Sequence, residues 1–290
     1  MKKIISFFAL ALALISCSDN IDTDTVVADF SDATVSKVMN NTWQTDDKIG
    51  IYMKDENLDF VTYANVPYVV GAAGATGSFS AVGTVIYYPV NGDKRAFYAY
   101  SPYDASITDY TYKVDVEDQS NPALIDLIES TAGDNFYSKD NSSVSFTFTH
   151  VLSKLIFTLV SGDGMSLADL ETVTISIEGA YTQVDYDFQT QSFVEGTYAD
   201  VSAIEPYTAT LGVTYETIMI PTSSVDLVVS FTIAGQPYYW SPTEVLLESG
   251  KEHTYTVTIS KTDIDVEPVE LLGWEDGDED GEDLEAPLVS

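Results

Sequence analysis

The feature that most constrains this chain is a close succession of short runs in which apolar and polar residues alternate. Residues 143–150 read SVSFTFTH, with Val144, Phe146 and Phe148 at every second position. A period of two belongs to a strand with one buried face. Residues 49–53, 85–90, 96–100, 155–160, 173–177, 217–220, 226–233, 238–240 and 253–260 continue the series, parted by Gly, Pro, Asn and Asp. Asn91-Gly92 signals a hairpin of 85–90 with 96–100, because a type I′ turn needs positive φ at both central positions. Segments 122–130 and 165–170 allow at most a helical turn or two. Strands at such short intervals predict an all-β chain of antiparallel sandwiches rather than βαβ units. They are too many for one sandwich. A break near residue 150 divides them into comparable halves.

The only cysteine, Cys17, closes the opening run MKKIISFFALALALISC. Lys2 and Lys3 form a basic head, residues 4–15 an apolar stretch, and Leu14-Ile15-Ser16-Cys17 a lipobox. The apolar stretch is too short to span a bilayer comfortably, so residues 1–16 read as a removable export signal. Cleavage before Cys17 leaves its thiol to take a diacylglyceryl group and its amine to be acylated. Each buried CH₂ contributes about 0.8 kcal/mol, so two or three chains hold durably where one holds marginally. Cys17 as a catalytic nucleophile would need a base and an orienting group, which an acidic tether does not offer. With no other cysteine, the fold must be stabilised by core burial alone.

Acidic residues number 46 against 12 basic ones, a formal net charge of −34 that losing Lys2 and Lys3 makes more negative. Nucleic acid and anionic headgroups are thereby excluded as electrostatic partners. Residues 17–25 are an acidic tether, and residues 275–290 an acidic tail expected to be disordered.

Several segments in fixed order carry a resemblance: 43–53 (WQTDDKIGIYM), 63–68 (YANVPY), 87–103 (YYPVNGDKRAFYAYSPY), 146–155 (FTFTHVLSKL) and, near the end, 218–221 (IMIP), 238–240 (YYW) and 250–259 (GKEHTYTVTI). Together they resemble the fimbrillin family, lipoprotein-derived subunits of type V pili in Gram-negative gut and oral bacteria. The resemblance implies two tandem transthyretin-like (Ig-like) antiparallel β-sandwich domains, at 26–149 and 150–274. It implies a lipid-anchored outer-membrane protein at the cell surface or in a fimbrium, a structural or adhesive subunit with no enzymatic activity and no cofactor. Its partners would be other pilin subunits, joined by donor-strand exchange after a trypsin-like protease removes the leader with the first strand. The family's cleavage residue is Arg, whereas the one Arg here, Arg95, lies beside the Asn91-Gly92 turn. Lys37 is the processing site left in the leader. Either a Lys-tolerant protease cuts there, or the leader stays and the protein keeps its own first strand, near residues 26–30. In that second case the chain is an anchor, or a non-polymerising adhesin for a glycan or host protein. The tail offers no good donor strand, which favours an anchor, tip or minor position over the stalk.

Other candidates have plain alternatives. His150 follows an alternating strand and reads as a core or junction residue. Asp276, Asp278, Asp280 and Gly281 spell the start of a calcium loop, but Pro287 stands at the twelfth position where a Glu is needed. Loose cation contact by a solvated tail is the simpler reading. The tyrosines of 87–110 could stack on sugar, although their alternation with Ala and Ser assigns half of them to a core. No phosphate-binding, serine-hydrolase or zinc-protease motif occurs.

Overall fold

The structure, a computed structural model, describes residues 25–35, 42–131, 135–199, 202–242 and 245–274. The strands of the first half are β1 (Asp29–Val35), β2 (Lys48–Lys54), β3 (Val66–Val70), β4 (Thr76–Gly77), β5 (Phe79–Ala81), β6 (Ala96–Ser101), β7 (Thr111–Asp115), β8 (Ile128–Thr131) and β9 (Ser143–His150). All but β7 form one sheet, in the order β4-β1-β9-β8-β6-β2-β3-β5. Ser78 alone separates the outermost strands, β4 and β5, in sequence, so this sheet curls until its two edges meet. Its interior is filled by Phe30, Trp43, Ile49, Ile51, Phe97, Phe146 and Phe148, each at most 2 % exposed.

Period-two alternation explains how one sheet serves two cores. On β6, Phe97 and Ala99 point into that interior, while Tyr98 and Tyr100 point the other way into a second core. On β2, Ile49, Ile51 and Met53 face inward and Tyr52 outward. Every residue of β6 is buried, the mark of a strand covered on both faces.

The remaining strands are β10 (Ser153–Ser161), β11 (Thr174–Glu178), β12 (Gln183–Asp187), β13 (Ser192–Phe193), β14 (Tyr207–Thr210), β15 (Thr214–Met219), β16 (Thr222–Val225), β17 (Val228–Ile233), β18 (Gln236–Trp240), β19 (Val245–Leu247), β20 (Lys251–Ile259) and β21 (Ile264–Gly273). A five-stranded sheet, β14-β15-β10-β20-β21, and a three-stranded sheet, β11-β17-β18, share the second core. Phe157 of β10 meets Phe231 of β17 edge-on at 5.6 Å. A smaller sheet, β13-β12-β7, ties the halves together, with Val114 opposite Val184 and Tyr112 opposite Tyr186. Phe188, just beyond β12, is fully buried and lies 4.4 Å from the ring of Tyr100.

The all-β expectation holds, and most of the expected strands are present within a few residues. Three details differ. Two pairs, β1 with β9 and β10 with β20, are parallel rather than antiparallel. Residues 85–90 do not pair with β6, whose two edges are taken by β2 and β8. The turn forms one residue earlier than expected, because the Gly92 N–H donates to the Pro89 carbonyl at 3.1 Å, which makes Val90 and Asn91 the central pair, and of Asn91 and Gly92 only Gly92 has positive φ, 84°. Pro89 has no N–H for a ladder, and residues 86–88 bond instead to Val26 and Ala28. Segment 122–130 holds, as expected, no more than a single turn, a 3₁₀ turn at residues 122–124 before β8. The 165–170 segment does hold a helical turn, α1 (Leu167–Leu170), with a Ser166–Asp169 capping box. Among the described residues no helix is long and apolar enough to cross a membrane.

Candidate functional site

The first strand is a stave of the curled sheet, inserted between β4 and β9. Ala33 lies opposite Gly77 on one side and Phe146 on the other. Upstream, the Ala28 N–H donates to the Ile86 carbonyl at 2.9 Å, and the Asp29 N–H to the Ser142 carbonyl at 3.0 Å. Phe30 carries the apolar load. It is 1 % exposed, with its ring 4.9 Å from Tyr68, 5.2 Å from Phe97 and 5.5 Å from Phe146. Burial of such a side chain stabilises by about 1.5–3 kcal/mol, and leaving its space empty costs more.

The chain is fastened again at Trp43. Its backbone exchanges two hydrogen bonds with Gly74, and its ring packs edge-on against Phe79 at 4.9 Å and Phe148 at 5.4 Å. Gly77 makes room for it, since a Cβ there would stand 2.8 Å from the indole. Because β1 precedes every other strand, one break between Val35 and Thr42 separates it from the rest. What it would leave is an apolar slot flanked by unpaired N–H and C=O groups of β9, β4 and residues 86–88. A slot of that kind accepts a strand from another chain.

The predicted site residues Cys17, Lys37, Asp276, Asp278 and Asp280 all lie outside the described residues. His150, by contrast, is placed clearly. It is 4 % exposed, its Nδ1 faces both oxygens of Asp126 at 2.9 and 3.2 Å, and the Trp274 ring stacks on it at 3.9 Å. Lys154, four residues on, is held by Glu216 at 2.9 Å and Glu252 at 3.5 Å. This part of the 146–155 segment therefore pins the end of β21 against the junction of the halves. The tyrosines of 87–110 are not a sugar platform as a group. Tyr98 and Tyr100 are at most 1 % exposed because β6 is covered on both faces, and Tyr88, outside the named strands, is 2 % exposed within the curled sheet's interior.

One polar cluster had almost no sequence signal. Glu129 of β8 is 8 % exposed and accepts hydrogen bonds from Tyr98 at 2.8 Å and Tyr186 at 2.9 Å, joining the curled sheet to β12. Burial pushes its carboxyl above the ordinary range, while the two tyrosines, Gln191 and Lys54 pull the other way. Tyr98 and Tyr186 are themselves raised by burial and then by Glu129, so both stay protonated donors.

The comparisons agree with the geometry. A family model described as fimbrillin-like matches residues 36–274. The chain belongs to the fimbrillin-like family. A Bacteroides uniformis protein described as fimbrium subunit Fim1C is 32 % identical over 259 residues, covering 85 % of this chain and 84 % of that one. A crystal structure of a B. uniformis protein described as a cell adhesion protein superposes with a TM-score of 0.73 at 30 % identity, covering 86 % of this chain and 98 % of that one. Another, from Bacteroides ovatus, gives 0.68 at 16 % identity, with 87 % and 99 % covered, a likeness of fold alone.

Proposed function

We propose that this fimbrillin is a surface-exposed lipoprotein, attached to the outer membrane through Cys17, that serves as a structural and adhesive subunit of a fimbria assembled by strand addition. It acts as anchor, tip or minor pilin and catalyses no reaction. The observation that carries the reading is the position of β1. The strand that a leader-removing protease would take away is the one that holds Phe30 at the centre of an aromatic core. Its loss exposes a slot that a neighbouring subunit's strand can fill, with main-chain bonds giving affinity and alternate side chains giving register. The lipobox supports the anchor, and the family supports the fimbria.

A second reading, a tethered adhesin that never polymerises, is favoured by the absence of Arg from the leader. Mass spectrometry of protein taken from the cell surface separates the two. A new N-terminus after Lys37, in material that runs as a ladder on gels, is the polymerising subunit. An acylated Cys17 on a monomer is the adhesin. Acyl-free protein recovered with cytoplasmic markers contradicts both.

A further inference from the structure

The second half carries an aromatic strip at the margin of its core, where Tyr198, Trp240 and Tyr255 pack against the core while staying partly exposed. At one end Tyr181, 42 % exposed, stands 5.1 Å from Tyr198. With Glu195 and Thr222 they line a hollow of about 470 Å³. At the other end Trp240 and Tyr255, 4.7 Å apart and backed by Phe157, line a hollow of about 480 Å³ with His253 and Glu248. Leu246 of β19, 48 % exposed, lines both, so the two hollows adjoin. Each falls in the size range of small-molecule sites and combines apolar walls with a few polar groups.

Two observations narrow the occupant. The second hollow opens between the outermost strands β18 and β21, where an added strand would be the obvious visitor. Each of those edges carries a proline, Pro237 and Pro268, a residue that interrupts further strand pairing. Charge decides the rest. Among the described residues no Lys or Arg lines either hollow, and besides tyrosines the ionisable groups are the carboxylates of Glu195 and Glu248 and an imidazole, His253, that burial holds below its ordinary range. An anion is repelled, and an uncharged ligand with apolar faces and hydroxyl edges fits. Sugar rings have that build, since their C–H faces pack on aromatic rings and their hydroxyls bond carboxylate and imidazole.

We infer that the two hollows are successive ring sites for a neutral oligosaccharide, bridged by Leu246. The site gives the adhesive role a ligand class, and it is independent of how subunits join, because none of its residues belongs to β1 or to the leader.

The test is titration of the mature chain with maltotriose, mannotriose, chitotriose and a galactose-based trisaccharide, and with sialyllactose as the anionic contrast, read by calorimetry and saturation-transfer NMR. At least one neutral trisaccharide should saturate, more tightly than its monosaccharide and than sialyllactose. Tyr181→Ala and Leu246→Ser, both at exposed positions, should each weaken that binding about tenfold with thermal midpoints unchanged. Absence of saturation by every neutral sugar overturns the inference, as does equal binding by both variants or tighter binding of sialyllactose. Loss of self-association in the variants without any sugar binding would make the strip a subunit contact instead. None of these outcomes bears on the N-terminus, so failure here is distinguishable from failure of the assembly reading.

Discussion

Phe30 and Phe146 lie 5.5 Å apart with their ring planes 9° from parallel, although one belongs to the first strand and the other to the last strand of the curled sheet. Their strands run parallel, and a parallel pair needs a long crossover between its members. Here the crossover is almost the whole first half of the protein. The core is therefore closed by a piece that one cut can detach.

Phe30→Ala should destabilise the intact protein by about 3–5 kcal/mol, the range for emptying an aromatic site in a rigid core. Phe30→Leu should recover most of that loss. Urea unfolding of both variants beside the parent measures it.

Glu129 gives stability a pH dependence of defined sign. Its carboxyl is raised by burial, so the folded protein keeps that proton to a higher pH than the unfolded chain does. The associated stability is fully present below the unfolded carboxylate range and is lost as pH rises through the folded value. Tyr186→Phe removes a donor to the ionised form and should cost about 1.5–3 kcal/mol at pH 8, and distinctly less at pH 4. Equal costs at the two values would contradict this role.

Gly50 lies opposite Tyr100, and a Cβ there would collide with that ring and come within 2.7 Å of the Asn65 Oδ1 that accepts the Tyr100 hydroxyl hydrogen bond. Gly50→Ala should cost about 1–3 kcal/mol by displacing the ring. Tyr100→Phe alone should cost less, because the ring then stays. Thermal unfolding of the pair ranks them.

Trp274 is the last described residue, stacked on a buried histidine. Trp274→Ala should speed amide exchange along β21 and at the His150 end of β9 and leave β1 protected, because the aromatic interior of the curled sheet does not include it. Uniform loss of protection would instead mean that the two cores unfold as one unit.

Local rules made much of this legible. Strict alternation in 143–150 is seen unchanged in β9, with every second residue buried. His150 is the buried junction residue that its place after that strand suggested. The rest depended on partners remote in sequence. Residues 85–90 have the composition of a strand, but Pro89 and the occupied edges of β6 send them to Val26 and Ala28. The tyrosines near residue 98 looked half exposed because alternation reports one hidden face, and only tertiary structure shows that the other is covered too. The pairing of β7 with β12 joins residues far apart in the chain, which no local period encodes. Glu129 is one carboxylate among 46 acidic residues, and its apolar neighbours Leu127 and Ile128 are the only hint that it is buried.

The central claim is that the first strand is a detachable stave whose slot another strand can fill. The most direct measurement takes a chain beginning at Thr42 and titrates it with a synthetic peptide of residues 25–35, following unfolding and binding together. The account predicts a large loss of stability in the shortened chain, rescue by the peptide, and binding weakened about 100-fold or more by Phe30→Ala in the peptide. A shortened chain that keeps the parent's unfolding midpoint and ignores the peptide would contradict it.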